Sequence, residues 1–324
     1  MIIITFTAQQ KYGIKRKIKR MNSENNVKLS SWILLIVLTL IWGSSFILIK
    51  RGLFDINGNV IFRPDQVGAL RITLAGLSLL PIAIYQLRKV KIKDHFWLIM
   101  VGLIGNTIPA FLFALAQTKV ASAVAGMLNG TTPLFAFIIA VLVFGVKFSK
   151  ANVMGIAIGF IGMIGLIYFG AKEELKVGYY SFLLVFATAC YGLSVNMMKM
   201  KLKNVKPITI TAISLGYMAV PCAIYLLTTD FTTILQTHES ASMAFGYIVI
   251  LSVIGTTLAL VLFNYLVKSE SILFASSVTY LIPIVALFWG ILDNEFISIK
   301  QILSIVVILA GVFLVNKKIA VVEK

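Results

Sequence analysis

The chain has 324 residues, 59% hydrophobic and 13% charged, with a formal net charge of +17. Soluble domains carry about 25% charged residues, so an ordinary soluble globule is excluded. A mean hydropathy of +0.97 points the same way.

Ten apolar runs follow one another: 32–50, 67–87, 96–117, 121–145, 151–169, 178–198, 207–228, 242–264, 271–292 and 299–316. Most reach the ~20 residues that a helix needs to cross a bilayer. In lipid every backbone amide needs an internal partner, which leaves helices or closed barrels. Barrel strands alternate in hydropathy, and these runs do not. The predicted class is an all-α polytopic membrane protein with ten transmembrane helices.

The first residues, "MIIITFTAQQ", do not form a signal peptide, because the positive charges follow the apolar start. Residues 1–30 read as a basic cytoplasmic tail. Met21 opens "MNSENNVKLSS", which resembles an ordinary start, so the upstream stretch is either tail or an over-extended gene start. With the N-terminus inside, 21 of the 29 Lys and Arg fall in inside segments: the tail, 88–93, 147–150, 199–206, Lys268 and the C-terminus. Seven fall outside, and Arg71 lies within a run. This is the positive-inside pattern. It accounts for the charge without nucleic acid and puts both termini in the cytoplasm, with the cell membrane as the expected location.

The first run contains "IWGSSFILIK" (41–50), and the sixth answers with "CYGLSVNMMK" (190–199). Laid on itself at an offset of 149 or 150, the chain pairs Gly43, Ser45 and Lys50 with Gly192, Ser194 and Lys199. Phe113 meets Phe263, Ala125 meets Ala275, Pro133 meets Pro283, and Gly162 meets Gly311. Two five-helix repeats are therefore predicted, at 31–170 and 171–324, the second ending in a short cytoplasmic tail. Five is odd, so the second repeat enters the membrane from the opposite side. Inverted repeats of this kind are a transporter architecture, with the binding site near the midplane between halves.

Several landmarks occur in order: "WGSSFILIK", Arg71 early in the second run, "ALAQTKVASAVAGMLNGTTPLFAFIIAVLVFG" (114–145) and "SVTYLIPIVALFWG" (277–290). Over roughly residues 32–316 the chain resembles the EamA family of the drug/metabolite transporter superfamily. The resemblance implies ten helices, cytoplasmic termini and movement of small metabolites, often outward. One departure stands out. The family commonly has Gly-Glu where this chain has Gly145-Val146, while the second half keeps an acid at Asn294-Glu295.

The candidate substrate-binding residues are Trp42, Ser44, Ser45, Arg71, Asn106, Asn129, Pro133, Tyr191, Ser194, Asn196, Thr279, Tyr280 and Pro283. Small residues such as Gly43, Ser44 and Ser45 serve close helix packing, or loosen the helix and offer hydroxyls to a substrate. Trp42 and Tyr191 sit too deep for an interfacial belt and are core or cavity aromatics. Arg71 either snorkels toward Asp65 or faces a cavity and holds a carboxylate. The buried amides and hydroxyls serve interhelical bonds or a ligand equally well. Pro133 and Pro283 free carbonyls at matched places. Lys50 and Lys199 are snorkelling anchors or mirror-related gate residues.

Asp and Glu lie only in loops or near run ends, and both histidines, His95 and His238, fall outside the apolar runs. That favours facilitated diffusion or exchange over proton coupling. No acid–base constellation or phosphate-binding loop is present, so the reading is non-enzymatic and ATP-independent. Cys190 and Cys222 fall in apolar runs and read as packing residues, with no metal and no cofactor expected. The expected partners are a small-molecule substrate and membrane lipid, with a homodimer left open. The leading reading is a secondary transporter working by alternating access, an exporter of an amino acid or related organic compound. A non-transporting scaffold or receptor-like protein and a lipid flippase are the alternatives. A scaffold would close its helices on apolar side chains, and a flippase would need a lateral opening.

Overall fold

A computed structural model describes residues 29–145, 147, 149–170, 175–269 and 278–316. The tail 1–28, Val146, Ala275, the C-terminal segment 317–324 and the side chain of Tyr280 lie outside what it describes.

The regular structure of the described residues is helical, apart from one isolated bridge between Phe54 and Val60. α1 spans Leu29–Leu53. α2 (Pro64–Ser78) begins at a capping box in which the Arg63 amide donates to Gln66 Oε1 at 2.9 Å. It bends by 64° into α3 (Leu80–Leu87). Pro81 explains the bend, since it lacks the amide hydrogen a continuous helix needs at that point. α4 (Ile92–Gly102) runs through a π-helical segment, Leu103–Thr107, into α5 (Ile108–Ala116). α6 (Ser122–Asn129) and α7 (Thr132–Leu142) are interrupted at Gly130 and Thr131, just before Pro133. α8 covers Lys150–Gly170.

The second half repeats the scheme. α9 is Leu175–Lys201, α10 is Pro207–Leu227 and α11 is the short Phe231–Thr237. α12 (Ala241–Ile250) passes through a second π-helical segment, Leu251–Leu258, into α13 (Ala259–Ser269). α14 (Val278–Leu292) continues through Pro283 without a described interruption, unlike the break at Pro133. α15 is Ile299–Asn316.

Among the described residues, seven helices are long and apolar enough to cross a membrane, or eight if the bent α2–α3 pair is one span. The predicted ten crossings require the shorter apolar helices Leu281–Leu292 and Ile299–Leu314 to cross as well. Large apolar side chains point outward, among them Ile161 and Ile164 on α8 and Val220 and Ile224 on α10. Water would disfavour such a surface, and lipid matches it.

The principal contacts join the first half to the second. α2 packs on α10, α1 on α14, α9 on α7 and α8 on α15. Small residues make these approaches possible. A methyl group on Gly43 would strike Val285 Cβ at 2.4 Å, and one on Gly192 would strike the Ala136 amide at 2.6 Å. These two contacts are repeat-related, because Gly43 and Gly192 differ by 149 positions and Val285 lies one repeat beyond Phe135. Gly311 likewise lies against Gly159 on α8. Close backbone approach replaces the hydrophobic drive that helices lack in lipid.

Candidate substrate cavity

A cavity of about 160 Å³ lies where the two halves meet. Three repeat-matched features build its wall. Trp42 on α1 stands 5.0 Å from Phe263 on α13, centroid to centroid, and Phe113 on α5 stacks on Tyr191 of α9 at 6.0 Å. Each aromatic pair takes one ring from each half. Trp42 and Tyr191 are repeat mates, as are Phe113 and Phe263.

The two π-helical segments form the second matched feature. Each presents a Gly and a polar residue to the cavity, Gly105-Asn106 and Gly255-Thr256. Their side chains bond carbonyls five residues back: Asn106 Nδ2 donates to the Val101 carbonyl at 3.2 Å and Thr256 Oγ1 to the Leu251 carbonyl at 3.1 Å. A π segment widens the turn and often marks a functional position. Gly105 lies against Ser194, and Gly255 against Ser45. The polar residues inside the first and sixth runs thus seat the π segments of the opposite half.

Arg71 is the charged side chain among the described lining residues. Its Nε donates to Thr256 Oγ1 at 2.9 Å, and Tyr191 lines the same cavity. It forms no ion pair among the described residues. Asp65, the partner offered by the snorkelling alternative, instead accepts from Arg63 at 2.9 Å and from the Tyr225 hydroxyl at 2.6 Å. Of the two placements open to Arg71, the structure has the one facing the cavity.

Asn129, Thr279 and Ser45 also line the cavity, together with Asn106, Trp42, Tyr191 and Ser194. Other candidates stand elsewhere. Ser44 accepts a hydrogen bond from Trp289 Nε1 at 2.8 Å and donates to the Leu40 carbonyl at 2.7 Å. Asn196 spends its amide on the Ala136 and Gly192 carbonyls, at 2.8 and 2.9 Å, and so ties α9 to α7. Pro133 is buried beside the α6–α7 break, and Pro283 packs next to Gly130. Neither proline is a lining residue.

Sequence reasoning missed Gly105, Thr256, Thr211 and Ser214. Ser214 Oγ is buried with no hydrogen-bond partner. The signal for the π segments was present in the repeat, since "IGNT" (104–107) and "IGTT" (254–257) align at an offset of 150.

Lys50 and Lys199 each follow a lining residue, Ile49 and Met198. Their surroundings differ. Lys50 Nζ pairs with Asp293 at 2.5 Å and with Glu295 at 2.8 Å, and Arg51 also pairs with Asp293. Glu295 accepts from the Ser122 and Ala123 amides, both at 2.9 Å, at the start of α6. Burial raises the Glu295 pKa, but the bonds from Lys50 and the two amides outweigh it and hold the carboxyl below its usual range. Gly290 leaves room for this carboxylate, as a methyl group there would lie 2.9 Å from Glu295 Oε2. Lys199 forms no ion pair among the described residues. Gly145 and Asn294, repeat mates, both adopt positive φ, 66° and 56°. The chain turns alike after both helices, but the acid follows only Asn294.

A membrane chain, helical in its described residues, with a cavity of apolar walls and several polar side chains at the junction of two matched halves fits the class of polytopic transporters. The profile of the EamA-like transporter family matches residues 29–168 and again 178–317. The chain belongs to the EamA-like transporter family, a family of membrane transporters.

It is similar to an uncharacterized transporter of Archaeoglobus fulgidus, 24% identical over 298 residues, covering 90% of this chain and 100% of the relative. It is 28% identical to the uncharacterized inner membrane transporter YedA of Escherichia coli K12 over 289 residues, covering 87% and 89%. The uncharacterized transporter YoaV of Bacillus subtilis is 25% identical over 291 residues, covering 86% and 94%. One crystal structure shares the fold with a TM-score of 0.60 at 15% identity, over 89% of this chain and 96% of the other.

Proposed function

We propose that the chain is a secondary transporter that carries a small amphipathic metabolite, an amino acid or related organic compound, outward across the cytoplasmic membrane by alternating access. Ten helices cross the membrane in this reading, as two five-helix repeats of opposite orientation with both termini cytoplasmic.

The observation that carries the reading is the cavity. Its aromatic pairs and its serine–glycine contacts each join one half to the other at repeat-matched positions. Two similar halves around one site give two states of similar energy, open to opposite sides. The glycine contacts let the halves slide without large side chains to unlock. The Lys50–Asp293–Glu295 cluster then serves as the gate on the outer side. A scaffold needs no such cavity, and a buried guanidinium facing it is costly to keep in lipid without a ligand role.

The test compares metabolites in the medium of cells bearing the wild type, the Arg71→Ala variant or no transporter, at equal membrane levels. A compound accumulating outside only with the wild type supports export through this cavity. A medium indistinguishable from that of empty cells, together with no uptake in the reverse assay, would sink the transporter reading.

A further inference from the structure

We infer that the cavity selects a flat organic acid carrying a net negative charge over the zwitterionic amino acid of the same shape. This rests on the transporter reading of the cavity and narrows its cargo.

The argument starts from the charge. A guanidinium offers five N–H donors and cannot lose its proton. One neutral oxygen, Thr256 Oγ1, accepts from Arg71 Nε in the structure. Donors therefore remain for a planar two-oxygen acceptor, and a carboxylate fits that fork. A bound monoanion brings the site to neutrality.

A zwitterion does not. Its carboxylate meets Arg71, and its ammonium then needs a partner of its own. No Asp or Glu is among the described lining residues. The nearby acids are engaged, Asp65 by Arg63 and Tyr225, and Glu295 by Lys50 and the start of α6. The ammonium would be held by amides, hydroxyls and ring faces in a poorly solvated space, which offsets its lost hydration only in part. The shape requirement comes from the rings. Trp42–Phe263 and Phe113–Tyr191 are apolar walls from opposite halves, and a flat apolar body stacks on such faces.

The experiment uses the full chain purified in detergent at pH 7.5 and three probes of one shape. These are 3-phenylpropionate (anion), phenylalanine (zwitterion) and phenethylamine (cation). Binding is read by quenching of Trp42 fluorescence and by thermal shift, with Trp42→Phe as the control for the optical signal. The anion is expected to bind about 10-fold or more tightly than phenylalanine, as expected when a buried charge is left poorly paired. Phenethylamine should bind weakest. Arg71→Gln should shrink the anion preference to under about 2-fold, while Arg71→Lys retains most of it; monodisperse elution shows that both variants fold.

Phenylalanine binding as tightly as the anion overturns the inference, as does failure of all three probes to saturate. An anion preference that survives in Arg71→Gln overturns it too. Flux in proteoliposomes separates the two claims. An anion that binds but is not moved sinks the transporter reading and leaves the inference standing. Phenylalanine that is both preferred and moved does the reverse.

Discussion

The contact between Gly105 and Ser194 supports a quantitative test. A methyl group on Gly105 would lie 2.0 Å from Ser194 Oγ and 2.6 Å from Ser194 Cβ. Rotating the hydroxyl relieves the first clash but not the second, because Cβ is fixed by the α9 backbone. Gly105→Ala must therefore shift a helix, and overpacking of this kind costs about 1–3 kcal/mol. The repeat mate is looser. A methyl group on Gly255 meets Ser45 Oγ at 3.0 Å and otherwise nothing nearer than 3.4 Å. A hydroxyl turn clears it, so Gly255→Ala should be near neutral or stabilise by up to ~1 kcal/mol through backbone entropy. Ser194→Gly removes both clashing atoms at a backbone cost of ~0.5–1 kcal/mol. The double variant Gly105→Ala/Ser194→Gly should thus recover stability, with a coupling of about 1–2 kcal/mol. Thermal midpoints in detergent read this at roughly 2–4 °C per kcal/mol. Gly105→Ala as stable as its parent, or no recovery in the double variant, would refute the α9–π-segment contact.

Three further outcomes are expected. Glu295→Ala removes the acceptor of Lys50 and of two α6 amides, and should destabilise by about 1–3 kcal/mol at neutral pH. Since the folded carboxyl titrates below its usual 4.5, this contribution is present above that value and disappears as pH falls through the folded pKa; midpoints of parent and variant measured from pH 7 to 3 should converge. Ser44→Ala leaves the Trp289 N–H without its acceptor and should cost about 1–3 kcal/mol, while the affinity for 3-phenylpropionate stays unchanged in the same fluorescence titration. An uncoupled carrier of a monoanion moves charge, and an interior-negative potential drives that charge outward. At ~2.3 kcal/mol per 100 mV the limiting gradient is about 50-fold, so imposing the potential with potassium and valinomycin in proteoliposomes should drive anion export. Potential-independent flux would rule that mechanism out.

Membrane residence, the helical class and the repeat were legible in the sequence because they are one-dimensional properties. A run of ~20 apolar residues has few stable choices in lipid, and an offset of 149–150 needs no coordinates to detect. The sequence also singled out Trp42, Ser45, Arg71, Tyr191 and Ser194, because polar and aromatic residues deep in apolar runs stand out. It could not separate Ser45 from Ser44, one residue apart. On a helix neighbours point about 100° apart, and the packing of α1 against α14 and the second π segment turns Ser45 to the cavity and Ser44 to Trp289. Nor could it choose between the two placements of Arg71, since the choice depends on Thr256, 185 positions away along the chain. The same holds for the two repeat-matched lysines. Lys50 and Lys199 look alike in the repeat, but a folded chain brings Asp293 and Glu295 to only one of them. Burial within a run follows from local composition, whereas the partner of a buried polar group is set by which helices approach, and only the tertiary structure fixes that.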